Sequence, residues 1–321
     1  MEYRRLGETP LELSRIGLGC GNFGGVGSAP ELFGRGESEE EAFALMDAAW
    51  DAGVNFFDTA ASYGGGRSES WIGRWQRERG ADVVLSTKVF WSVTGDPDDR
   101  GLARERLLRE NAGSLERLGV DRVQMYLTHE PDPETPILET LQALDQLVHD
   151  GKVEAIGASN VTSEQLLEAL ETSEGRGLAR YAWVQNELNL LNPAAQDEIR
   201  EICRREGLGF TPFSPLAGGW LTGKYTRGAP YPSDSRMALR PEPYEELVAE
   251  RTFRALDGLR GAAEELETEP ATLALAWLLA QPDVTAVVVG PRNANHLASA
   301  LAALDLELSD ARRDELASLF R

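Results

Sequence analysis

Eight short apolar segments alternate with longer segments of helical period along this 321-residue chain. This alternation is typical of repeated strand–helix units, which build a parallel sheet because each helix returns the chain to the same edge. The expected strands are 15–19, 54–58, 82–88, 123–129, 153–159, 181–187, 208–214 and 284–290. The expected helices are 38–52, 68–79, 102–118, 135–150, 163–172, 194–206, 245–266, 270–280, 293–303 and 309–320.

Eight strands with a helix after each close most simply into a (β/α)8 TIM barrel, an α/β fold that forms one domain over residues 1–321. A doubly wound sheet is the alternative. It is disfavoured because GCGNFGG at 19–25 lacks the GxGxxG spacing of a dinucleotide-binding turn. The first residues alternate and turn at 7–10, so an N-terminal β-hairpin should cap the barrel floor, and a C-terminal helix should end the chain.

Local signals add detail to this layout. Ser38 with Glu41 predicts a capping box at the start of a helix, and Ser163 before an apolar repeat predicts another. The longest stretch without a helix or strand pattern is 216–244, after the seventh strand. A loop of that length in a compact domain is expected to be functional.

Composition narrows the function classes. A formal net charge of −21 disfavours nucleic acid and anionic membranes as partners, because both require a basic face. Two cysteines and three histidines offer little for a disulfide framework or a zinc site, so no metal is expected. The N-terminus has no apolar signal region and no apolar run could span a bilayer, which predicts a cytoplasmic protein.

Four residues at consecutive strand ends could together reduce a carbonyl: Asp58, Tyr63, Lys88 and His129. Barrel strands converge at their carboxyl ends, where these side chains would meet. A tyrosine can protonate a nascent alkoxide if an ammonium lowers its pKa of about 10. Lys88 would supply that charge, held by Asp58, and a neutral His129 would orient the substrate oxygen.

Each residue alone also has a purely structural explanation. Asp58 could cap a turn, Tyr63 could pack a loop, and His129 could cap the next one, while Lys88 could be solvated. Only three lysines occur among the 32 Lys and Arg residues, so an ammonium at a strand end is not a by-product of composition. The four positions together favour a catalytic site.

Several segments carry a resemblance to a known family: RIGLGCGNFG, GVNFFDTAASYGGGRSE, LSTK, MYLTHEPD, GKVEAIGASN, WVQNELNLL, FTPFSPLAGGWLTGKY and VVVGPRN. In these segments, which extend over essentially the whole chain, the sequence resembles the aldo-keto reductases. Asp58, Tyr63, Lys88 and His129 match that family's tetrad. The resemblance implies a (β/α)8 barrel and an NADP-dependent oxidoreductase acting on CH–OH donors.

The resemblance also implies an extended nicotinamide cofactor bound without a Rossmann domain. Its carboxamide would meet Ser159, Asn160 and Gln185, and its ring would stack on Phe213. Backbone amides of the SPLAG run would wrap the pyrophosphate: Ser214, Pro215, Leu216, Ala217 and Gly218. The other implied cofactor positions are Lys224, Arg236 and Arg292 at the phosphates, together with Gly19, Cys20, Gly290 and His296. Since a 2′-phosphate requires cations, NADP(H) is favoured, with NAD(H) as the alternative.

Some positions depart from the family pattern. His296 and Ala300 replace residues that often contact the adenosine end, and Leu188 replaces a tyrosine. Glu130, directly after His129, replaces a large or basic residue and adds negative charge near the mouth of the site. These changes should alter cofactor preference and selectivity without abolishing activity.

Three functions remain open beside carbonyl reduction. The same residues could serve an NAD(P)-dependent sugar or secondary-alcohol dehydrogenase. A non-catalytic, cofactor-binding regulatory subunit is a further alternative, although an intact tetrad argues against it. A metal-dependent hydrolase is disfavoured by the few histidines. The expected partner is a small-molecule carbonyl substrate, and a monomer is favoured.

Overall fold

A hairpin and a ring of eight parallel strands define the architecture of the computed structural model, which describes residues 1–321. The hairpin pairs β1 (Tyr3–Arg5) with β2 (Glu12–Ser14) in antiparallel fashion. The parallel strands are β3 (Ile16–Gly19), β4 (Phe56–Asp58), β5 (Val84–Val89), β6 (Val123–Thr128), β7 (Val153–Ser159), β8 (Trp183–Gln185), β9 (Gly209–Phe210) and β10 (Val287–Val289). Their spatial order, β10-β3-β4-β5-β6-β7-β8-β9, follows the chain except that the last strand lies beside the first.

Hydrogen bonds beyond the regular ladders bring the two ends of this sheet together. The Thr285 N–H donates to the Phe210 carbonyl at 2.8 Å, and the Val288 N–H donates to the Pro212 carbonyl at 2.9 Å. The sheet therefore curls into a (β/α)8 barrel, as the alternation in the sequence predicts.

Helices follow the strands at the predicted places. They are α1 (Glu39–Asp51), α2 (Arg67–Arg79), α3 (Arg104–Leu118), α4 (Ile137–His149), α5 (Ser163–Arg176), α6 (Asp197–Glu206), α7 (Arg236–Leu239), α8 (Glu250–Glu265), α9 (Pro270–Leu279), α10 (Ala294–Ala302) and α11 (Asp310–Ser318). None of them combines the length and apolar character needed to cross a bilayer.

One helix cap differs from the prediction. The capping box of α1 is formed by Ser38 and Glu41 as expected. At α5, however, the N-cap is Thr162, whose side chain accepts the Gln165 N–H, and Ser163 is the first helical residue. Thr162 has the extended backbone, φ −80° and ψ 167°, that an N-cap requires, so the box is Thr162 with Gln165.

The hairpin closes one end of the barrel. Leu6 and Leu13 are fully buried and pack with Phe56, Met125 and Trp183 inside the barrel. Gly7, at φ 52°, lies so close to the start of β9 that a β-carbon there would come within 2.8 Å of the Gly209 nitrogen. The amino ends of the strands are therefore covered, and the carboxyl ends carry the remaining open mouth.

The stretch over 216–244 is more ordered than its sequence predicts. It contains a 3-10 segment at Ala217–Thr222, the short helix α7, and the start of a second 3-10 segment at Glu242–Leu247. Gly218 and Gly219 interrupt the first segment with φ values of 62° and 95°. Short turns of this kind carry no helical period, which is why the pattern of the sequence does not reveal them.

Candidate active site

Four of the predicted residues reach the open mouth from two loops and two strand ends. Asp58 is the last residue of β4, and Lys88 is the penultimate residue of β5. His129 follows β6 directly, with its backbone N–H donating to the Val89 carbonyl at 2.8 Å. Tyr63 begins a 3-10 turn, Tyr63–Gly66, shortly after β4. The parallel register of β4, β5 and β6 thus brings distant residues to one place.

Asp58 and Lys88 form a buried ion pair at the centre of this group. The Lys88 Nζ lies 2.6 Å from the Asp58 Oδ2, and the two residues are 2% and 3% exposed. Lys88 also donates to the Thr59 carbonyl at 2.9 Å. Burial alone would lower the pKa of Lys88, but the charge of Asp58 and hydrogen bonding with Asp58 and Tyr63 outweigh burial, so its pKa is raised. The ammonium therefore stays charged.

The second oxygen of Asp58 is fully used as well. Its Oδ1 accepts hydrogen bonds from the Ser86 Oγ and the Gln185 Nε2, both at 2.9 Å. A carboxylate with every oxygen satisfied can remain ionised inside the protein. Ser86 and Gln185 thus hold the orientation of Asp58, and Asp58 holds Lys88.

Tyr63 lies beside this pair. The Lys88 Nζ is 5.2 Å from the centre of the Tyr63 ring. Lys88 lowers the pKa of Tyr63, as expected, but it is not the largest effect on that pKa. Burial raises this pKa, and the opposing effect of Lys88 is weakened because Asp58 offsets the lysine's charge. The phenol is consequently held in its protonated form.

His129 contacts Tyr63 directly. The two rings meet edge to face, with centres 5.5 Å apart and an angle of 77° between their planes. Burial, and then the nearby charge of Lys88, hold the pKa of His129 well below its usual value. The imidazole is thus neutral at neutral pH, and its buried Nδ1 has no protein partner.

Polar groups suited to a carboxamide lie next to these residues. The Asn160 Nδ2 donates to the His129 carbonyl at 3.0 Å and to the Glu130 Oε1 at 3.1 Å. Ser159 Oγ donates to the Gln185 carbonyl at 2.6 Å. With its Nδ2 engaged in this way, Asn160 presents its Oδ1, and Gln185 likewise presents its Oε1. These two oxygens could accept hydrogen bonds from the N–H groups of a bound amide.

The SPLAG run has a backbone suited to an anion. Ser214 and Ala217 have positive φ values of 56° and 46°, and Gly218 follows at 62°. Residues other than glycine adopt this conformation at a cost on the order of 1–3 kcal/mol, which a structure retains mainly at functional sites. Consecutive turns of this kind point backbone N–H groups into a concavity. The segment therefore fits the role that its sequence predicts.

Four predicted basic positions gather further along the cleft: Lys224, Arg236, Arg292 and His296. Burial, and then repulsion among the cations, lowers the pKa of Lys224, although Asp234 opposes that shift. His296 accepts the Arg292 N–H on its Nδ1 at 3.3 Å. Glu37 and Asp234 balance part of this positive charge, and a bound phosphate could interact with the remainder.

Two further residues position the arginines and were not predicted. The Arg292 Nε donates to the Oε1 of Glu37 at 3.0 Å, and Glu37 is 4% exposed. Arg236 donates to the side chain of Asn22. Both partners belong to the loop after β3. Their pairing with residues late in the chain has no local signature, so no sequence signal could have revealed it.

The remaining predicted positions lie at strand ends, in the core or after β9. Gly19 and Gly290 lie at adjacent strand ends, and a β-carbon on Gly290 would come within 3.7 Å of the Gly19 carbonyl oxygen. The Cys20 side chain is fully buried, with its thiol donating to the Leu18 carbonyl. Ala300 is 1% exposed and packs in the core. Phe213 is half-buried after β9, with its N–H donating to the Asn186 carbonyl at 3.2 Å.

Comparison with known proteins yields one family and several relatives. The model of the Aldo/keto reductase family matches residues 15–320. A "Probable voltage-gated potassium channel subunit beta" from Oryza sativa subsp. japonica is 37% identical over 314 residues, 95% of this chain and 92% of the relative. A protein of the same name from Arabidopsis thaliana is 35% identical with the same coverage. The "Uncharacterized oxidoreductase YrpG" of Bacillus subtilis (strain 168) is 36% identical over 96% of this chain and 92% of its own.

Proposed function

Because the chain belongs to the aldo/keto reductase family, we propose that it reduces aldehydes or ketones with NADPH and that Tyr63 donates the proton. The observation that carries this proposal is the buried Lys88–Asp58 pair at 2.6 Å beside Tyr63 and His129. A buried ammonium next to a phenol serves no evident packing purpose. It does stabilise negative charge that develops on the phenol oxygen during proton transfer.

Each residue has a definable part in the reaction. A nicotinamide held by Asn160 and Gln185 would supply the hydride for the carbonyl carbon. Tyr63 transfers its hydroxyl proton to the carbonyl oxygen as negative charge develops there, and Lys88 stabilises the tyrosinate left behind. His129, being neutral, can hydrogen-bond the same oxygen without competing for the proton. Asp58 keeps Lys88 charged and fixed in place.

The protonation state of Tyr63 matches the form from which reduction starts. Reduction requires the phenol at the start, whereas alcohol oxidation requires the tyrosinate. Since burial raises the pKa of Tyr63, the phenol is the form present at neutral pH. The alternative, an NAD(P)-dependent sugar or secondary-alcohol dehydrogenase, would use the same residues but begin from the less populated form.

The basic cluster supports NADP(H) over NAD(H). Lys224, Arg236 and Arg292 outnumber the two carboxylates beside them, Glu37 and Asp234, and Arg292 retains N–H donors beyond those bonded to Glu37 and to the Asp234 carbonyl. A 2′-phosphate would relieve the mutual repulsion of these cations, and a 2′-hydroxyl would not.

The test is a fluorescence titration of the purified protein with NADPH and with NADH. We expect the seven tryptophans to report tighter binding of NADPH. Arg292→Ala should weaken NADPH binding by about tenfold or more and leave NADH binding nearly unchanged, since a charged hydrogen bond contributes about 1.5–3 kcal/mol. Equal affinities for both cofactors would contradict the NADP preference, and binding of neither would contradict the oxidoreductase assignment.

A cofactor-binding regulatory subunit is the second candidate, because two of the relatives are named as potassium channel beta subunits. Such a protein could bind NADPH without appreciable turnover. Multiple-turnover oxidation of NADPH in the presence of simple aldehydes separates the two candidates. The complete set of Asp58, Tyr63, Lys88 and His129 leads us to expect turnover.

A further inference from the structure

Glu130 carries a negative charge that no cation balances. It directly follows His129 and is half-buried at the mouth of the barrel. Its Oε1 accepts a hydrogen bond from the Asn160 Nδ2 at 3.1 Å. Burial raises the pKa of Glu130, and hydrogen bonding from Trp91 and Asn160, both neutral, opposes the rise. The carboxylate is thus held in place by neutral donors only.

Two other acids in the same loops, Asp99 and Asp132, are engaged within those loops. Asp99 pairs with Arg109 at 2.5 Å and with Arg106 at 3.4 Å. Asp132 accepts the Leu102 N–H at 2.7 Å and is bonded within its own turn as well. Their charges stabilise the loops that contain them. Glu130 differs because its hydrogen-bond partners, Trp91 and Asn160, are both uncharged.

The position of Glu130 places this charge on the substrate side of the cleft. The Asn160 side chain donates to the His129 backbone carbonyl and to the Glu130 carboxylate. Asn160 thus links Glu130 to His129, the residue that would orient the carbonyl oxygen of the substrate. None of the cations Lys224, Arg236 and Arg292 forms an ion pair with Glu130. The loops after β5 and β6 border Tyr63 and His129, so a substituent of a carbonyl compound held there could reach Glu130.

We propose that Glu130 determines specificity by charge, so that the enzyme takes carbonyl compounds with a cationic group, such as amino aldehydes, and rejects anionic ones. This inference rests on the proposed reductase function. At an effective dielectric constant near 20, the interaction of a unit charge with a half-buried carboxylate several ångströms away is strong enough to change kcat/KM by about tenfold in each direction.

The experiment measures kcat/KM with NADPH for three para-substituted benzaldehydes of similar shape. The substituents are trimethylammonio (cationic), tert-butyl (neutral) and carboxylate (anionic). For the unmodified protein we expect the cationic aldehyde to exceed the anionic one by about tenfold or more. In Glu130→Gln the ratio of kcat/KM for the cationic aldehyde to that for the anionic aldehyde should fall by about tenfold or more, with the neutral aldehyde nearly unaffected, because the intrinsic reactivities of the aldehydes are the same in both proteins. Glu130→Lys should lower this ratio further.

A matched control and the cofactor titration separate the other outcomes. Glu134→Gln removes an exposed carboxylate from the same loop and should leave the selectivity intact. If Glu130→Gln instead weakened NADPH binding and slowed all three aldehydes equally, Glu130 would only position Asn160, and the inference would be wrong. Normal reduction of the neutral aldehyde with unchanged selectivity would also overturn it while leaving the proposed function intact. No turnover of any aldehyde and no NADPH binding would remove both.

Discussion

The Lys88 ammonium lies 2.6 Å from the Asp58 carboxylate while its centre of charge is also 5.2 Å from the Tyr63 ring. One cation thus serves two anionic groups, of which one is permanent and the other arises only during proton transfer. Asp58, the permanent partner, offsets the charge of Lys88 and so weakens its effect on the pKa of Tyr63 before the reaction. When negative charge develops on the phenol oxygen, Lys88 stabilises the transient tyrosinate. Such an arrangement lowers the barrier more than it perturbs the resting enzyme.

Tyr63→Phe should abolish most of the turnover. Loss of the proton donor is expected to reduce kcat by about 10²–10⁴-fold, because general acid catalysis contributes on that scale. NADPH affinity should change little, since the hydroxyl has no place among the candidate cofactor contacts. Stopped-flow measurement of NADPH oxidation with the fluorescence titration as control tests both statements. Retention of most of the activity would assign the proton to another group.

Asp58→Asn should destabilise the protein as well as inactivate it. The substitution leaves the Lys88 ammonium buried without its counter-ion, which costs about 3–5 kcal/mol. Ser86→Ala, which removes one neutral donor to the same carboxylate, should cost only about 1 kcal/mol. Urea denaturation of both variants measures the difference. Equal, small losses would mean that Lys88 is not charged in the folded protein.

His129 should make stability fall at acidic pH. Its folded pKa lies well below its unfolded value of about 6.5, so below that pH the unfolded chain binds a proton that the folded chain excludes. The stabilisation is therefore complete above about pH 6.5 and is lost as the pH falls below it. We expect His129→Gln to lose less stability than the unmodified protein between neutral and mildly acidic pH. The control is His149→Gln, at the exposed end of α4, which should follow the unmodified protein.

Thr162→Ala should cost about 1 kcal/mol of unfolding free energy through loss of the N-cap of α5. Ser163→Ala should cost less, because its hydroxyl bonds only the exposed side chains of Glu164 and Glu198. Thermal denaturation of the pair gives the order directly. The reverse order would restore Ser163 as the cap.

The alternation of apolar segments with segments of helical period was sufficient to predict the fold. The apolar segments are the strands buried inside the ring of helices, and the segments of helical period are the helices that cover them. All eight strands occur where their apolar runs predict, and β7 has the predicted bounds. The N-cap of α5 was misplaced by one residue because Thr162 and Ser163 have the same cap chemistry. Only the extended backbone of Thr162 distinguishes them.

The site could be predicted less completely than the fold. Asp58, Lys88 and His129 were identifiable since strand ends converge in any barrel. The contact between Glu37 and Arg292 spans 255 residues and depends on how the loop after β3 folds. The raised pKa of Tyr63 depends on burial, which residue types alone do not specify. Both properties arise from packing rather than from local pattern.

The hairpin that covers the amino ends of the strands also makes that end of the barrel the one opposite the candidate active site. Leu6 and Leu13 block that end, while Met1 is 42% exposed next to it. Tethering the chain to a surface through its first residue would thus leave the reactive mouth facing the solution. The amino terminus is consequently a natural point of attachment for an immobilised catalyst or a fused reporter.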